Sequence, residues 1–302
     1  MISKNKVYIL LVIPFFILLL IFAFLFAINK RRLLAIFTLL LFVATNYITQ
    51  TIPINFNSCA EENKKDLKVL CYNVRCLDSL YPKNEIKIAQ QILAETPDVV
   101  FLCEFTQHRN RRLDSILIKN AYLKYYKRGT NCAFYSKYEI DRVKSIITNN
   151  LKRKYSLNIM VHANVKGKRV TIIGCHLSSS HHHLLEGYYR RKKEADALYE
   201  IIEEESDPVI VLGDLNDISG SYTIRRIQEA GLYDAWWEGG CGYGTTFHDG
   251  WLRLRLDHVL YQDDKLKLQY VKIIDSDLSD HNAVVAGFTL KNWQYDNTCI
   301  NK

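Results

Sequence analysis

Between residues 67 and 290 the chain is a succession of short apolar runs of strand length. Six of them give out at side chains that a core does not accept: Asn73, Glu104, His176, Asp214 with Asn216, Asp257, and Asp280 with His281. A single polar residue at a strand end is usually a turn former. Six such places in one chain require a fold that brings strand ends to a common rim, where sheets collect ligands.

The runs read as an α/β domain. Leu67 to Val74 (LKVLCYNV) bunches apolar residues tightly enough to be buried on both faces. Lys83 to Ala94 carries Ile86, Ala89, Ile92 and Leu93 at helical spacing, and Thr96-Pro97 stops it before a strand at Asp98 to Phe105. A helix at Arg111 to Ile118 and strands at Cys132 to Ser136 and Ile159 to Val165 follow. Lys166-Gly167 then turns the chain into a strand at Arg169 to Cys175. Tyr188 to Glu205 is a long charged helix with Ala195, Leu198, Ile201 and Ile202 as its inner stripe. Asp207-Pro208 breaks it before the strand Val209 to Leu212. A helix near Thr223 to Ala230 and strands at Arg255 to Tyr261, Leu268 to Ile274 and Ala283 to Leu290 close the pattern. Strands outnumber the helices and some join by hairpins, which disfavours a doubly wound nucleotide fold. No G-x-G-x-x-G, G-x-x-x-x-G-K-[ST] or G-x-S-x-G motif is present.

The first sixty residues differ in kind. They contain no Asp or Glu, and Val7 to Ile28 is uncharged over 22 residues, about 33 Å as a helix and enough for a bilayer core. Leu33 to Ile54 is a second uncharged stretch, weakened by Asn46, Gln50 and three Thr in its latter half. The expectation is a transmembrane helical hairpin over residues 1–54 (spans about 7–28 and 33–54), a polar linker over 55–66 and a catalytic domain over 67–302. Lys30-Arg31-Arg32 is the densest basic cluster, and cations beside spans stay cytoplasmic. Placing that loop inside leans the large domain toward the extracytoplasmic side, although Lys4, Lys6 and the amino terminus oppose it. The net charge of +8 is largely membrane flanking: beyond residue 60 there are 35 basic against 32 acidic residues. That balance gives little support for a polyanion partner.

Acids, amides and imidazoles converging on one rim suit divalent metal chemistry on phosphate. Carboxylate and amide oxygens are hard ligands that fit Mg²⁺, with Mn²⁺ as a substitute, and Mg²⁺ shares its shell with phosphate oxygens. A neutral imidazole can take a proton from attacking water, and a carboxylate behind it fixes its tautomer. Asp257 and His281 could form that pair.

The motifs YNVR (Asn73), LCEF (Glu104), CHLS (His176), GDLND (Asp214, Asn216), RLDHVL (Asp257) and SDH (Asp280, His281) resemble, in order and approximate spacing, the endonuclease/exonuclease/phosphatase superfamily, with its deoxyribonuclease-like and sphingomyelinase-like fold. The resemblance covers about residues 66 to 290. It implies a four-layer α-β-β-α sandwich of two packed mixed sheets and a phosphoric ester hydrolase. It further implies that Glu104 binds Mg²⁺, that Asn73 helps hold metal and phosphate, and that Asp214 and Asn216 orient nucleophile and phosphate. His176 would bond a phosphate oxygen, His281 would be the general base oriented by Asp257, and Asp280 an auxiliary metal or hydrogen-bonding group. The leaving-group proton is left unassigned. Cys103 stands where a Gln is common and His258 where an aromatic residue is usual. The basic loop between apolar stretches resembles membrane-anchored bacterial members.

The expected activity is cleavage of a phosphodiester in nucleic acid or a phospholipid head group at a membrane, with no obligate protein partner evident. An inositol-phosphate phosphomonoesterase, or a scaffold that keeps the fold without turnover, are the alternatives. His181, His182 and His183 are consecutive, point in different directions and read as an exposed loop. With no C-x-x-C, a structural zinc site is not expected. Cys71, Cys103 and Cys175 read as buried thiols, and Cys59 and Cys299 could pair if the domain is external. The aromatic residues Tyr233, Trp236, Trp237, Tyr243 and Trp251 read as packing, and Arg253 or Arg255 could reach phosphate.

Overall fold

A computed structural model describes residues 36–37, 40–41, 53–55, 65–75, 84–106, 110–120, 122–126, 131–146, 158–179 and 184–291. Among them no helix is long and apolar enough to cross a membrane. The expected span at 7–28, most of the one at 33–54, His181–His183, Cys59 and Cys299 lie outside the described residues.

Two six-stranded mixed sheets form the domain. In the first, the order is Leu266–Ile274 (β15), Ala283–Leu290 (β16), Leu67–Asn73 (β2), Val99–Cys103 (β3), Cys132–Ser136 (β5) and Leu123–Tyr126 (β4). In the second it is Leu232–Asp234 (β10), Asp257–Gln262 (β14), Val209–Asp214 (β9), Lys168–His176 (β8), Asn158–Val165 (β7) and Ile140–Ile146 (β6). The pairs β2/β3 and β8/β9 are parallel, and the rest of each sheet is antiparallel. Among the described residues there are also two short ribbons: Ile54–Asn55 (β1) pairs with Gly242–Tyr243 (β11), and Phe247–Asp249 (β12) with Leu252–Leu254 (β13).

Period-two alternation divides each strand between two cores. Val69, Cys71, Phe101 and Phe134 from one sheet meet Val161, Ile172, Ile210, Leu212 and Val259 from the other. The outer face of the first sheet packs on Ile88, Ala89 and Ile92 of Glu85–Ala94 (α1) and Leu113 and Leu117 of Arg111–Lys119 (α2). That of the second packs on Ala195, Leu198 and Ile202 of Leu184–Glu203 (α3) and Ile224 and Ile227 of Tyr222–Gln228 (α4). The layer order is therefore α-β-β-α. Another helix, Ala235–Gly239 (α5), follows β10, with Asp234 accepting the Trp236 N–H at its start. The sheets approach closely, for a Cβ added at Gly174 would lie 2.3 Å from the Phe101 ring.

At Ile54–Asn55 the chain already contacts the domain. Asn55 Nδ2 donates to the carbonyls of Trp236 and Trp237, and Trp236 Nε1 donates to that of Pro53.

Candidate active site

Strand register does most of the assembly. Asn73 is the last residue of β2 and lies opposite Cys103, so Glu104 follows immediately beside it. On the second sheet His176 pairs with Asp214 across β8 and β9, and Asp214 pairs with Asp257 across β9 and β14. His281 stands just before β16 and makes an isolated bridge to Phe247, whose ring packs 5.0 Å from its own. The ends of both sheets thus deliver their polar residues to one place.

Asp214 is the hub. Its Oδ2 accepts from Asn73 Nδ2 at 2.9 Å and lies 3.7 Å from His176 Nε2 and 3.8 Å from His281 Nε2. Its Oδ1 accepts from the Asn216 backbone N–H. Asn73 Nδ2 also donates to Glu104 Oε1 at 3.3 Å, while its Oδ1 accepts from the Arg75 N–H. Asn73 therefore braces the two carboxylates. Glu104 is held in the left-handed region at φ 51°, and His176 Nε2 is 4.0 Å from it. A non-glycine residue at positive φ is uncommon, and such strain gathers at functional sites.

Behind this group His281 Nδ1 and Asp257 Oδ2 are 2.7 Å apart, with both side chains buried. The carboxylate fixes the proton on Nδ1 and leaves Nε2 facing Asp214. Burial pulls the His281 pKa down, but Asp257, Asp214 and Asp280 outweigh it and push it up to about 10. Burial likewise opposes the charge on His176, and the Cys132 thiol, Asp214 and Glu104 raise it to about 9. Asp214 is the one acid that raises both imidazoles.

The remaining expected residues are nearby in less central roles. Asn216, at φ 52°, donates its Nδ2 to the Leu177 carbonyl. Asp280 Oδ2 is 2.9 Å from Arg75 Nη1. Arg255 is not a phosphate contact: it is buried, with Nη1 and Nη2 bound to both oxygens of Asp234. His258, in the unusual position after Asp257, faces the same carboxylate at 3.3 Å. Arg253 is bonded to the carbonyls of Gly250 and Leu252. Of the aromatic group only Trp236 is buried, while Tyr233, Tyr243 and Trp251 are exposed.

Gly213 sets the approach of Asp214. Its φ is +129°, and an added Cβ would lie 2.1 Å from the Cys175 carbonyl oxygen, which is backbone and cannot swing away. Gly213→Ala is expected to cost about 2–3 kcal/mol in a denaturant melt. An unchanged midpoint would mean that the approach is not tight.

The donor set fits a hard divalent cation. The carboxylates of Glu104 and Asp214, both bound to the Asn73 amide, supply the hard oxygens, and the ligand atoms of Asp214, Asp257 and His281 lie within 4.8 Å of one another beside them.

A four-layer sandwich with carboxylates and imidazoles gathered at its strand ends suits the chemistry of a phosphoric ester hydrolase. The model of the endonuclease/exonuclease/phosphatase family matches residues 70–281, and the chain belongs to that family. No curated protein matches the sequence. Solved structures share the fold. TDP2 from D. rerio, complexed with a single-strand DNA product, is 18% identical with a TM-score of 0.62, over 74% of this chain and 98% of that one. The human nocturnin catalytic domain with bound sulfate is 18% identical with a TM-score of 0.60, over 74% and 93%. A doubly substituted beta toxin from Staphylococcus aureus with bound magnesium ions is 18% identical with a TM-score of 0.55, over 74% and 99%.

Proposed function

We propose that the chain is a membrane-anchored, Mg²⁺-dependent phosphodiesterase. The observation that carries the reading is the His281–Asp257 contact of 2.7 Å set behind an Asp214 shared by Asn73, His176 and His281. Glu104 would hold Mg²⁺ or Mn²⁺, with Asn73 bracing it and Asp280 at the edge of the site. The ion supplies neutralisation of phosphate charge. His281 Nε2 would accept the proton of the attacking water once a bound cation offsets the carboxylates that hold its pKa up, Asp257 holds the imidazole in the required tautomer, and His176 and Asn216 orient phosphate oxygens. Asp214 orients the nucleophile from between the two imidazoles. Magnesium in the beta toxin structure supports the choice of ion.

The substrate is a phosphodiester in nucleic acid or in a phospholipid head group. The single-strand DNA product in the TDP2 structure favours the first source, and tethering near lipid favours the second. For localisation, the proposed layout keeps the anchor and linker of the sequence reading but ends the anchor at Ile52, because Pro53–Asn55 joins the catalytic domain through β1. The extracytoplasmic side is proposed from the basic loop alone.

The purified full-length protein is expected to hydrolyse bis-p-nitrophenyl phosphate with Mg²⁺ and to stop in EDTA. Cleavage of plasmid DNA or RNA should fall steeply between 50 and 200 mM salt, on the order of 10³-fold, for a protein neutralising several phosphates. Cleavage of sphingomyelin should not. Activity that survives EDTA, or none on any of these substrates, overturns the reading.

A further inference from the structure

A second cluster lies at the other end of the strands. His162 is on β7, and Glu205 and Asp207 sit in the turn between α3 and β9. One imidazole nitrogen and one oxygen from each carboxylate all lie within 4.8 Å of one another. Thr171, beside them, is five residues along β8 from His176, or about 17 Å. No residue is shared with the active site.

The cluster is deep, with the His162 and Asp207 side chains 6% and 1% exposed. Each nevertheless carries a buried atom with no hydrogen-bond partner among the described residues, His162 Nδ1 and Asp207 Oδ1. A carboxylate oxygen left unpaired in the interior is costly, and the cost argues for an occupant. The carboxylates are held from outside: Arg169 Nε donates to Asp207 Oδ2 at 2.5 Å, and Thr171 Oγ1 donates to Glu205 Oε2 at 3.1 Å. Outer bonds of this kind orient metal ligands. An ion pair between His162 Nε2 and Glu205 Oε2, 3.3 Å apart, would satisfy those two atoms and still leave Asp207 Oδ1 without a partner. Glu205 is 20% exposed and opens a path to solvent.

We propose that His162, Glu205 and Asp207 bind a divalent transition-metal cation of the zinc class, clipping β7 to the turn that enters β9. One imidazole and two carboxylates form a borderline donor set that suits Zn²⁺ better than Mg²⁺. The site is structural and does not depend on the reading of the strand-end site.

The test is equilibrium dialysis of the full-length protein against Zn²⁺, with bound metal counted. Asp207→Asn, which preserves shape, and His162→Ala should each bind one equivalent fewer than wild type. Glu104→Gln should keep that equivalent. Zn²⁺ at about 100 times its dissociation constant should raise the wild-type unfolding temperature by roughly 5 °C or more, and should raise that of Asp207→Asn by less. Equal counts in wild type and Asp207→Asn, or loss of this equivalent in Glu104→Gln, overturns the proposal.

Discussion

His281→Ala is expected to fold as the wild type does and to lose about 10²–10⁴-fold in kcat, the range over which a positioned acid or base contributes. The imidazole lies between Asp257 Oδ2 at 2.7 Å, which orients it, and Asp214 Oδ2 at 3.8 Å, so its Nε2 presents a proton-transfer group to the centre of the site. Three carboxylates raise its pKa to about 10, and the substitution removes the proton carrier whichever way the proton moves. Asp257→Asn should also be slow, because an amide permits the tautomer with the proton on the wrong nitrogen. The readout is kcat together with the melting temperature. A His281→Ala enzyme as active as wild type would end the assigned mechanism.

The largest expected effect on stability belongs to Asp234. Its carboxylate takes both Arg255 guanidinium nitrogens, at 3.0 and 2.6 Å, and the Trp236 N–H, while Arg255 Nη2 also reaches Ser219. Both charged side chains are 2% exposed. Removing one partner leaves a buried charge uncompensated, so Asp234→Ala should cost about 3–5 kcal/mol. At roughly 2–4 °C per kcal/mol for a domain of this size, the melting temperature should fall by about 10 °C. Replacing both partners by apolar residues should recover much of the loss. Burial alone would raise the Asp234 carboxyl, but Arg255 and His258 overcome it and hold it well below the usual range. A carboxyl depressed on folding contributes stability above its unfolded pKa, about 3.9, and loses it as pH falls toward the folded value. Wild type should therefore lose stability below about pH 4 more steeply than Asp234→Ala. Parallel curves, or a loss under 1 kcal/mol, would count against the buried pair.

How far the sequence was legible depended on burial. Cys132–Ser136 and Ala283–Leu290 are continuous apolar runs, and the structure gives them the bounds that pattern predicts. Ile140–Ile146 (IDRVKSI) escaped because it is an edge strand with exposed charges, so its apolar alternation is broken. The strands β10 to β13 are two or three residues long, too short for any period. The strand-end residues could be found because each interrupts an apolar run. Their pairing could not, because Asn73 and Asp214 are 141 positions apart and only sheet register joins them. Arg255 misled for a related reason: a cation just before a candidate acid reads as a phosphate contact, and its partner Asp234 lies 21 residues away.

The central claim is that these strand ends share one cation. Anomalous diffraction from crystals of the full-length protein soaked in Mn²⁺ tests it directly. The account predicts a peak about 2.0–2.3 Å from a Glu104 carboxylate oxygen, beside Asn73 and Asp214, that vanishes in Glu104→Gln. Manganese density elsewhere and none at Glu104 would contradict it.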